Sequence, residues 1–89
     1  MANLTVDSFK NMVNEMQHCI GYKRDSVKRG CYKYYRNYFC GTSNYLDVAV
    51  ENGLCRIYST GEYGNNYCVT EKGIEFLQEL SKIKIVESR

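Results

Sequence analysis

Several features that would indicate a metal site or a membrane-spanning protein are missing from this sequence. It holds a single histidine, His18, and its nearest two cysteines are separated by eight residues, whereas zinc sites are typically built on close pairs such as C-x2-C. No apolar run approaches the length of about 18 residues that a membrane helix requires. Proline is absent, and no internal repeat is visible. We therefore expect no metal, no other cofactor and no membrane partner.

Signatures of catalysis are missing as well. The chain has no H-E-x-x-H motif, and the stretches GEYG and VTEKG lack the spacing of a phosphate-binding loop. His18 and Cys19 are adjacent, and neighbouring side chains on a helix point about 100° apart, which is unfavourable for a Cys/His nucleophilic pair. A lone histidine late in a helix is typical of a group that complements the helix dipole. We therefore expect a protein that is not an enzyme.

The length and composition are those of one globular domain. The 89 residues allow a single domain, 1–89, and the apolar share of 44% and charged share of 25% are close to the average for globular chains. The five cysteines are odd in number, and the start MANLTVDSFK has neither the basic segment nor the apolar centre of a secretory signal. We expect reduced, mostly buried thiols and a cytosolic location.

The first half of the chain begins with a helix pattern that then disappears. Apolar residues recur every three or four positions over residues 6–20, which predicts a helix with Thr5 or Asn3 as its N-cap and Gly21 at its end. Over residues 22–41 this periodicity is absent and tyrosines crowd together. We expect a loop there, with a short strand or helical turn around YKYYRNYF.

A second helix is predicted in TSNYLDVAVENGL. Thr42 or Ser43 is the expected N-cap, and the Asn-Gly pair ending at Gly53 provides a left-handed stop. The residues expected to face inward are Leu46, Ala49 and Val50. Those expected to face outward are Asn44, Asp47 and Glu51. Two carboxylates on this outward face would repel a DNA backbone, so the helix is a poor candidate for reading bases.

A hairpin and a third helix are predicted in the last part of the chain. CRIY and YCV are short β-type runs, and the polar linker STGEYGNN between them fits a hairpin with a long tip. Thr70 then caps the segment TEKGIEFLQELSKI, which predicts a helix. Its expected apolar stripe consists of Phe76, Leu77, Leu80 and Ile83.

The basic residues are concentrated in one stretch. Residues 1–45 hold seven Lys/Arg against three Asp/Glu, whereas residues 46–89 hold five against seven. Six of the seven basic residues of the first half lie in residues 23–36, among several tyrosines. Such a cluster attracts phosphates and its rings stack on bases, although a charged run is also typical of an ordinary solvated face. In that second interpretation Tyr35 and Phe39 complete the core beneath the first helix.

Two resemblances bear on the fold. The run VENGLCRIYSTGEYGNNYCVTEKGIEFLQEL, residues 50–80, resembles the second half of winged helix-turn-helix regulators, in which a helix ends in Gly-Leu, a hairpin wing follows and Thr-Glu-Lys-Gly opens the last helix. The whole chain also resembles a family of small phage and prophage proteins of low-GC bacteria, in which HCIGY, YYRNYF and YCVTEKG have counterparts in the same order. The resemblances imply an α+β winged-helix-like domain with its wing tip at residues 62–66, a phage setting and a bacterial cytosol.

Two functional hypotheses follow and stay open. The first is a nucleic-acid-binding protein of the winged-helix regulator type, and the alternative is an inhibitor or adaptor that acts on a host protein, such as an anti-defence (anti-CRISPR-like) protein. The candidate binding residues for DNA or for a protein partner are Lys23, Arg24, Lys28, Arg29, Lys33, Tyr34, Arg36, Tyr38, Arg56, Asn65 and Asn66. The apolar residues Ile83, Ile85 and Val86 of the tail also suggest a homodimer.

Overall fold

The architecture is known from a computed structural model that describes residues 6–87, so the predicted caps Thr5 and Asn3 lie outside the described residues. Within them the chain is an α+β domain of three α-helices and five strands. In chain order these are α1 (Val6–Cys19), β1 (Cys31–Tyr34), β2 (Phe39–Gly41), α2 (Asn44–Glu51), β3 (Cys55–Gly61), β4 (Gly64–Val69), α3 (Glu71–Ser81) and β5 (Lys84–Glu87). A 3-10 turn, Arg24–Ser26, lies between α1 and β1. None of the helices in this part of the chain is long and apolar enough to cross a membrane.

The strands form two separate sheets. Strands β2, β4 and β3 make an antiparallel sheet with β4 at its centre, and β1 pairs with β5 in parallel. The predicted α+β class, the three helices and the β3–β4 hairpin are therefore confirmed. The long hairpin tip is wrong, because the strands continue to the pair Gly61–Gly64 and leave a turn of only Glu62 and Tyr63.

Backbone hydrogen bonds explain where the first two helices end. After α1, the amides of Gly21 and Tyr22 donate to the carbonyl oxygens of His18 (3.1 Å) and Gln17 (2.9 Å), with Gly21 at φ +66°. This pair of bonds is the Schellman arrangement, which needs a left-handed residue and therefore favours glycine. Gly53 (φ +76°) ends α2 in the same way. Both predicted helix ends are confirmed.

The second and third helices are locked together at one junction. The hydroxyl of Thr70 accepts from the amide of Gly73 (3.1 Å), as predicted for the N-cap, and donates to the carbonyl oxygen of Gly53 (2.7 Å). The amide of Thr70 donates to the carbonyl oxygen of Leu54 at 3.0 Å. A Cβ on Gly73 would overlap that same carbonyl group. The segments NGL and TEKG are therefore joined by hydrogen bonds and by close backbone packing.

One core lies between the helices and the two sheets. Its buried members include Met12, Met16, Cys19, Ile20, Tyr32, Leu46, Ala49, Leu54, Cys55, Tyr67, Val69, Leu77 and Ile85. The expected inward positions Leu46, Ala49 and Leu77 are confirmed, and Val50, Phe76 and Ile83 pack partly buried against the core. Leu80 was expected in the stripe of α3 but is 46% exposed.

The aromatic residues of the irregular segment are placed differently from the prediction. Tyr35 was expected in the core, but it is 69% exposed, while Phe39 is partly buried against the core. Tyr32 takes the buried position instead, with its hydroxyl donating to the carbonyl oxygen of Ile20 at 2.7 Å. The reason is the alternation of a strand, which turns residues 32 and 34 to one side of β1 and residues 31 and 33 to the other.

Candidate functional site

The parallel pair β1–β5 has one side in the core and one side in solvent. Its register places Tyr32 opposite Ile85, and both side chains are buried. Because side chains alternate along a strand, Lys33 and Lys84 project from the other side, where both are exposed. Lys84 lies directly across from Cys31, two residues before Lys33.

A tight turn adds two more cations at the start of β1. Lys28 and Cys31 exchange two backbone hydrogen bonds, of 2.9 and 3.0 Å, around Arg29 and Gly30. Both central residues have positive φ, 54° and 72°, as in the type I′ turn of a two-residue hairpin. The amide of Lys84 donates to the carbonyl oxygen of Gly30 at 2.8 Å and ties the turn to β5.

The β1–β5 pair and the turn before β1 together carry four cations, Lys28, Arg29, Lys33 and Lys84. We call these four residues the basic face. All four side chains are exposed, and none forms an ion pair with another residue in the 6–87 range. An ion pair does join Lys82 to Glu79 at 3.6 Å, at the end of α3. The basic face therefore presents unpaired positive charge to solvent, as phosphate recognition requires.

The other predicted cations of the stretch do not all belong to this face. Lys23 and Arg24 are exposed at the 3-10 turn, with Asp25 beside them. Arg36 is half-buried, and its Nη2 donates to the carbonyl oxygen of His18 at 3.0 Å. Its guanidinium is therefore engaged at the C-terminal end of α1, where a positive charge complements the helix dipole.

Two exposed tyrosines flank Arg36. Its Cζ lies 5.8 Å from the centroid of the Tyr35 ring and 6.0 Å from that of Tyr38. The backbone amide of Tyr38 donates to the carbonyl oxygen of Cys19 at 3.0 Å. The two tyrosines thus lie beside Arg36 near the end of α1, while Tyr35 is 69% and Tyr38 52% exposed.

Tyr34 lies on the opposite side of β1 from the basic face. It pairs with Glu87 in the register and is half-buried. Burial, and after it the nearby charges of Glu87 and Glu71, raise the pKa of Tyr34 above its usual value. The structure therefore separates Tyr34 from the cations with which the sequence groups it.

The predicted hairpin residues are partly used inside the sheet. The Nδ2 atom of Asn66 donates to the hydroxyl of Ser59 at 2.7 Å, and Asn65 accepts a hydrogen bond from the hydroxyl of Thr60 at 3.1 Å. Both asparagines lie in the central strand β4 and not at a tip. Arg56, on the edge strand β3, is exposed.

The outward face of α2 differs from the prediction at one position. Asp47 is half-buried and accepts a hydrogen bond of 2.6 Å from the hydroxyl of the buried Tyr67. Burial first, and then this hydrogen bond, raises the pKa of Tyr67. Asn44 and Glu51 are exposed as predicted.

The cysteines form no metal site in the part of the chain that the structure describes, and two of them are buried in the core. No group of three His, Cys, Asp or Glu side chains within residues 6–87 has the arrangement of metal ligands. Cys19 and Cys55 are unpaired and buried in the core, and burial raises the pKa of each thiol to about 12. A thiol with such a pKa stays protonated and is a poor nucleophile near neutral pH.

Sequence reasoning missed one member of the basic face, Lys84. The only available signal was the alternation in KIKIVE, which is typical of a strand with one buried side. Comparisons with protein-family models, with curated proteins and with solved structures found no match for this chain. Inference about function therefore rests on the geometry of the site.

Proposed function

We propose that this is a phage-encoded, non-enzymatic protein of the bacterial cytoplasm that binds nucleic acid, with phosphate contacts made by the basic face. The observation that carries the proposal is the backbone pairing that places Lys84 beside the stretch with Lys28, Arg29 and Lys33, all four exposed and without ion pairs to other described residues. Cations that neutralise phosphates release condensed counterions, which supplies most of the affinity of sequence-independent binding.

A winged-helix-like mode of binding is part of this proposal. It is supported by the element order, in which β2 precedes α2, the hairpin β3–β4 follows α2, and α3 comes after the hairpin and before the last strand, β5. In this mode Arg56, exposed on edge strand β3, adds a further phosphate contact. The short helix α2 exposes Glu51 and contributes no cation, so we expect little discrimination between base sequences.

Fluorescence anisotropy of a labelled random-sequence oligonucleotide, in duplex and single-stranded form, tests the proposal. Affinity should fall steeply between low and near-physiological salt, with a slope on logarithmic axes of about −0.9 per phosphate neutralised in duplex. The variants Lys33→Ala and Lys84→Ala should each weaken binding equally for all sequences and make the slope shallower by about 0.9.

A matched control comes from α1. Lys10 is also exposed but lies outside the basic face, so Lys10→Ala should leave affinity and slope close to the wild-type values. If Lys10→Ala and Lys84→Ala weaken binding to the same extent, net charge and not the basic face is responsible. Absence of binding to both forms at low salt would contradict the proposed function.

The alternative, an inhibitor or adaptor acting on a host protein, is favoured by a second surface. Ile57, Tyr58 and Tyr63 of the hairpin are 39%, 48% and 83% exposed. Exposed tyrosines with an aliphatic neighbour are typical of the energetic centre of protein interfaces. Capture of one host protein by the wild type, lost in the double variant Tyr58→Ala/Tyr63→Ala with nucleic-acid binding intact, would support this function.

A further inference from the structure

The aromatic pair beside Arg36, which we call the platform, is held in place by contacts with Arg36 and with the end of α1. Arg36 is anchored to the carbonyl oxygen of His18, and it keeps the Tyr35 and Tyr38 rings within 6.0 Å of its Cζ. The backbone of Tyr38 is itself bonded to the end of α1. Rings that are exposed yet held in place lose little conformational entropy when a flat ligand stacks on them.

This platform lies next to the cations. Lys33 precedes Tyr35 by two residues, so their Cα atoms are at most about 7 Å apart. The Tyr35 ring lies close to Gly21. A Cβ added at Gly21 would be only 2.9 Å from the Tyr35 hydroxyl oxygen. Lys23 follows Gly21 by two residues, which brings a second exposed cation close to the ring.

Exposed aromatic rings beside cations favour single-stranded over double-stranded nucleic acid. In a duplex the base faces are stacked on each other and hidden, so exposed tyrosine rings gain nothing from them. In a single strand each base offers a face, and cations beside aromatic rings bind the backbone and the bases together. The helix in the position of a recognition helix, α2, is also poorly suited to the major groove, because it exposes Glu51 and carries no cation.

We infer that the ligand of this protein is single-stranded nucleic acid, with bases stacked on Tyr35 and Tyr38 and phosphates bound by the basic face. This inference rests on the proposed function and makes it more specific. It assigns to the two tyrosines a binding role that is separate from the charge of the stretch.

The test compares a labelled dT12 oligonucleotide, a 12-bp duplex and an oligomer of the same length and charge that lacks bases. The protein should bind dT12 at least five-fold more tightly than either of the others at near-physiological salt. The abasic oligomer is measured with the unmodified protein, so this arm does not depend on the folding of any variant.

Ring-deleting substitutions make the test specific. Tyr35→Ala and Tyr38→Ala should each weaken dT12 binding about five-fold or more while leaving the salt slope unchanged, because stacking is lost but no charge is removed. Tyr35→Phe and Tyr38→Phe should bind like the wild type, since stacking requires the ring and not the hydroxyl. Tyr63→Ala is the matched control, because Tyr63 is 83% exposed but lies in the hairpin turn.

The outcomes separate this inference from the proposed function. Equal binding of dT12, duplex and abasic oligomer, with no effect of the tyrosine substitutions, would overturn the single-strand inference and leave phosphate binding intact. Failure of all three to bind at low salt would overturn both. Loss of binding in Tyr63→Ala equal to that in Tyr35→Ala would also overturn the inference, because the platform would then have no special role.

Discussion

At the scale of single residues, Gly73 is the glycine at which an added Cβ would meet the closest contact. A Cβ there would overlap the carbonyl group of Leu54 and press on a methyl group of Val69. The Leu54 carbonyl cannot move freely, because it accepts the amide of Thr70 at 3.0 Å. We predict that Gly73→Ala lowers the free energy of unfolding by about 3 kcal/mol or more, measured by urea denaturation.

Gly30→Ala is the control for this substitution. Gly30 has φ +72°, but a Cβ there would meet no atom within 4 Å, so only the cost of a left-handed backbone applies, about 1 kcal/mol. The two glycine variants therefore separate a steric clash from backbone strain. Similar losses for both would show that the junction between α2 and α3 yields more easily than its hydrogen bonds indicate.

At the scale of secondary-structure elements, β5 is the part of the fold that changes the interpretation of the tail. Ile85 is 4% exposed and lies opposite Tyr32 in the core. We predict that Ile85→Ala costs about 2 to 5 kcal/mol of stability, whereas Val86→Ala, on the half-buried outer side, costs about 1 kcal/mol. Thermal unfolding followed by circular dichroism checks both, and equal small losses would contradict the pairing of β5 with β1.

The homodimer hypothesis depends on the same tail. Its motivation was apolar surface beyond the needs of the last helix, but Ile85 belongs to the core of its own chain and Ile83 packs partly against that core. The dimer stays a prediction, with Val86 left to support it. Light scattering after size exclusion decides it, and a monomeric mass at tens of micromolar would remove it.

The elements that sequence reasoning predicted are those with local signals. Ser43, Thr70, Gly21 and Gly53 determine where helices begin and end through bonds within a few residues, and all four were predicted, Ser43 alongside Thr42. The pairing of β1 with β5 joins residues more than 50 positions apart. No local pattern specifies such a partner, because a parallel pair depends on the chain in between.

In the candidate site, too, the residues that sequence reasoning found are close together in the sequence, and the one it missed is distant. Lys28, Arg29 and Lys33 lie within six residues of each other in the sequence, so a composition argument finds them, whereas Lys84 joins them only through the long-range pairing. The roles of Arg36 and Asn66 were not predictable for a related reason. Their partners, the carbonyl oxygen of His18 and the hydroxyl of Ser59, become neighbours only after the chain has folded.

At the scale of the whole molecule, the fold brings together basic residues that are far apart in the sequence. The second half of the chain holds more acids than bases, yet it supplies Lys84 to the basic face. Its acids Glu71 and Glu87 lie near Tyr34, on the other side of β1. The small net charge of +2 therefore conceals a surface with a distinct positive side.

Because of its buried thiols and phenols, the stability of the whole molecule is expected to change with pH in the alkaline range. Burial raises the pKa of Cys19 and of Cys55 from 9.0 to about 12, and it raises the pKa of Tyr32 and Tyr67 as well. Above about pH 9 these groups lose protons in the unfolded chain but keep them in the folded one. The folded state thus binds more protons, and its stability must fall as pH rises from 9 toward 12.

We predict a free energy of unfolding that is unaffected by these groups below about pH 8 and declines above pH 9. Each buried thiol contributes a slope of about 1.4 kcal/mol per pH unit once it is ionised in the unfolded chain. Urea denaturation at pH 7, 9, 10 and 11 under reducing conditions measures it. Cys55→Ala should be less stable at pH 7, because it loses buried volume, yet show a shallower decline, because one ionising group is gone. A decline of equal steepness in this variant would mean that the Cys55 thiol ionises as readily in the folded protein as in the unfolded chain.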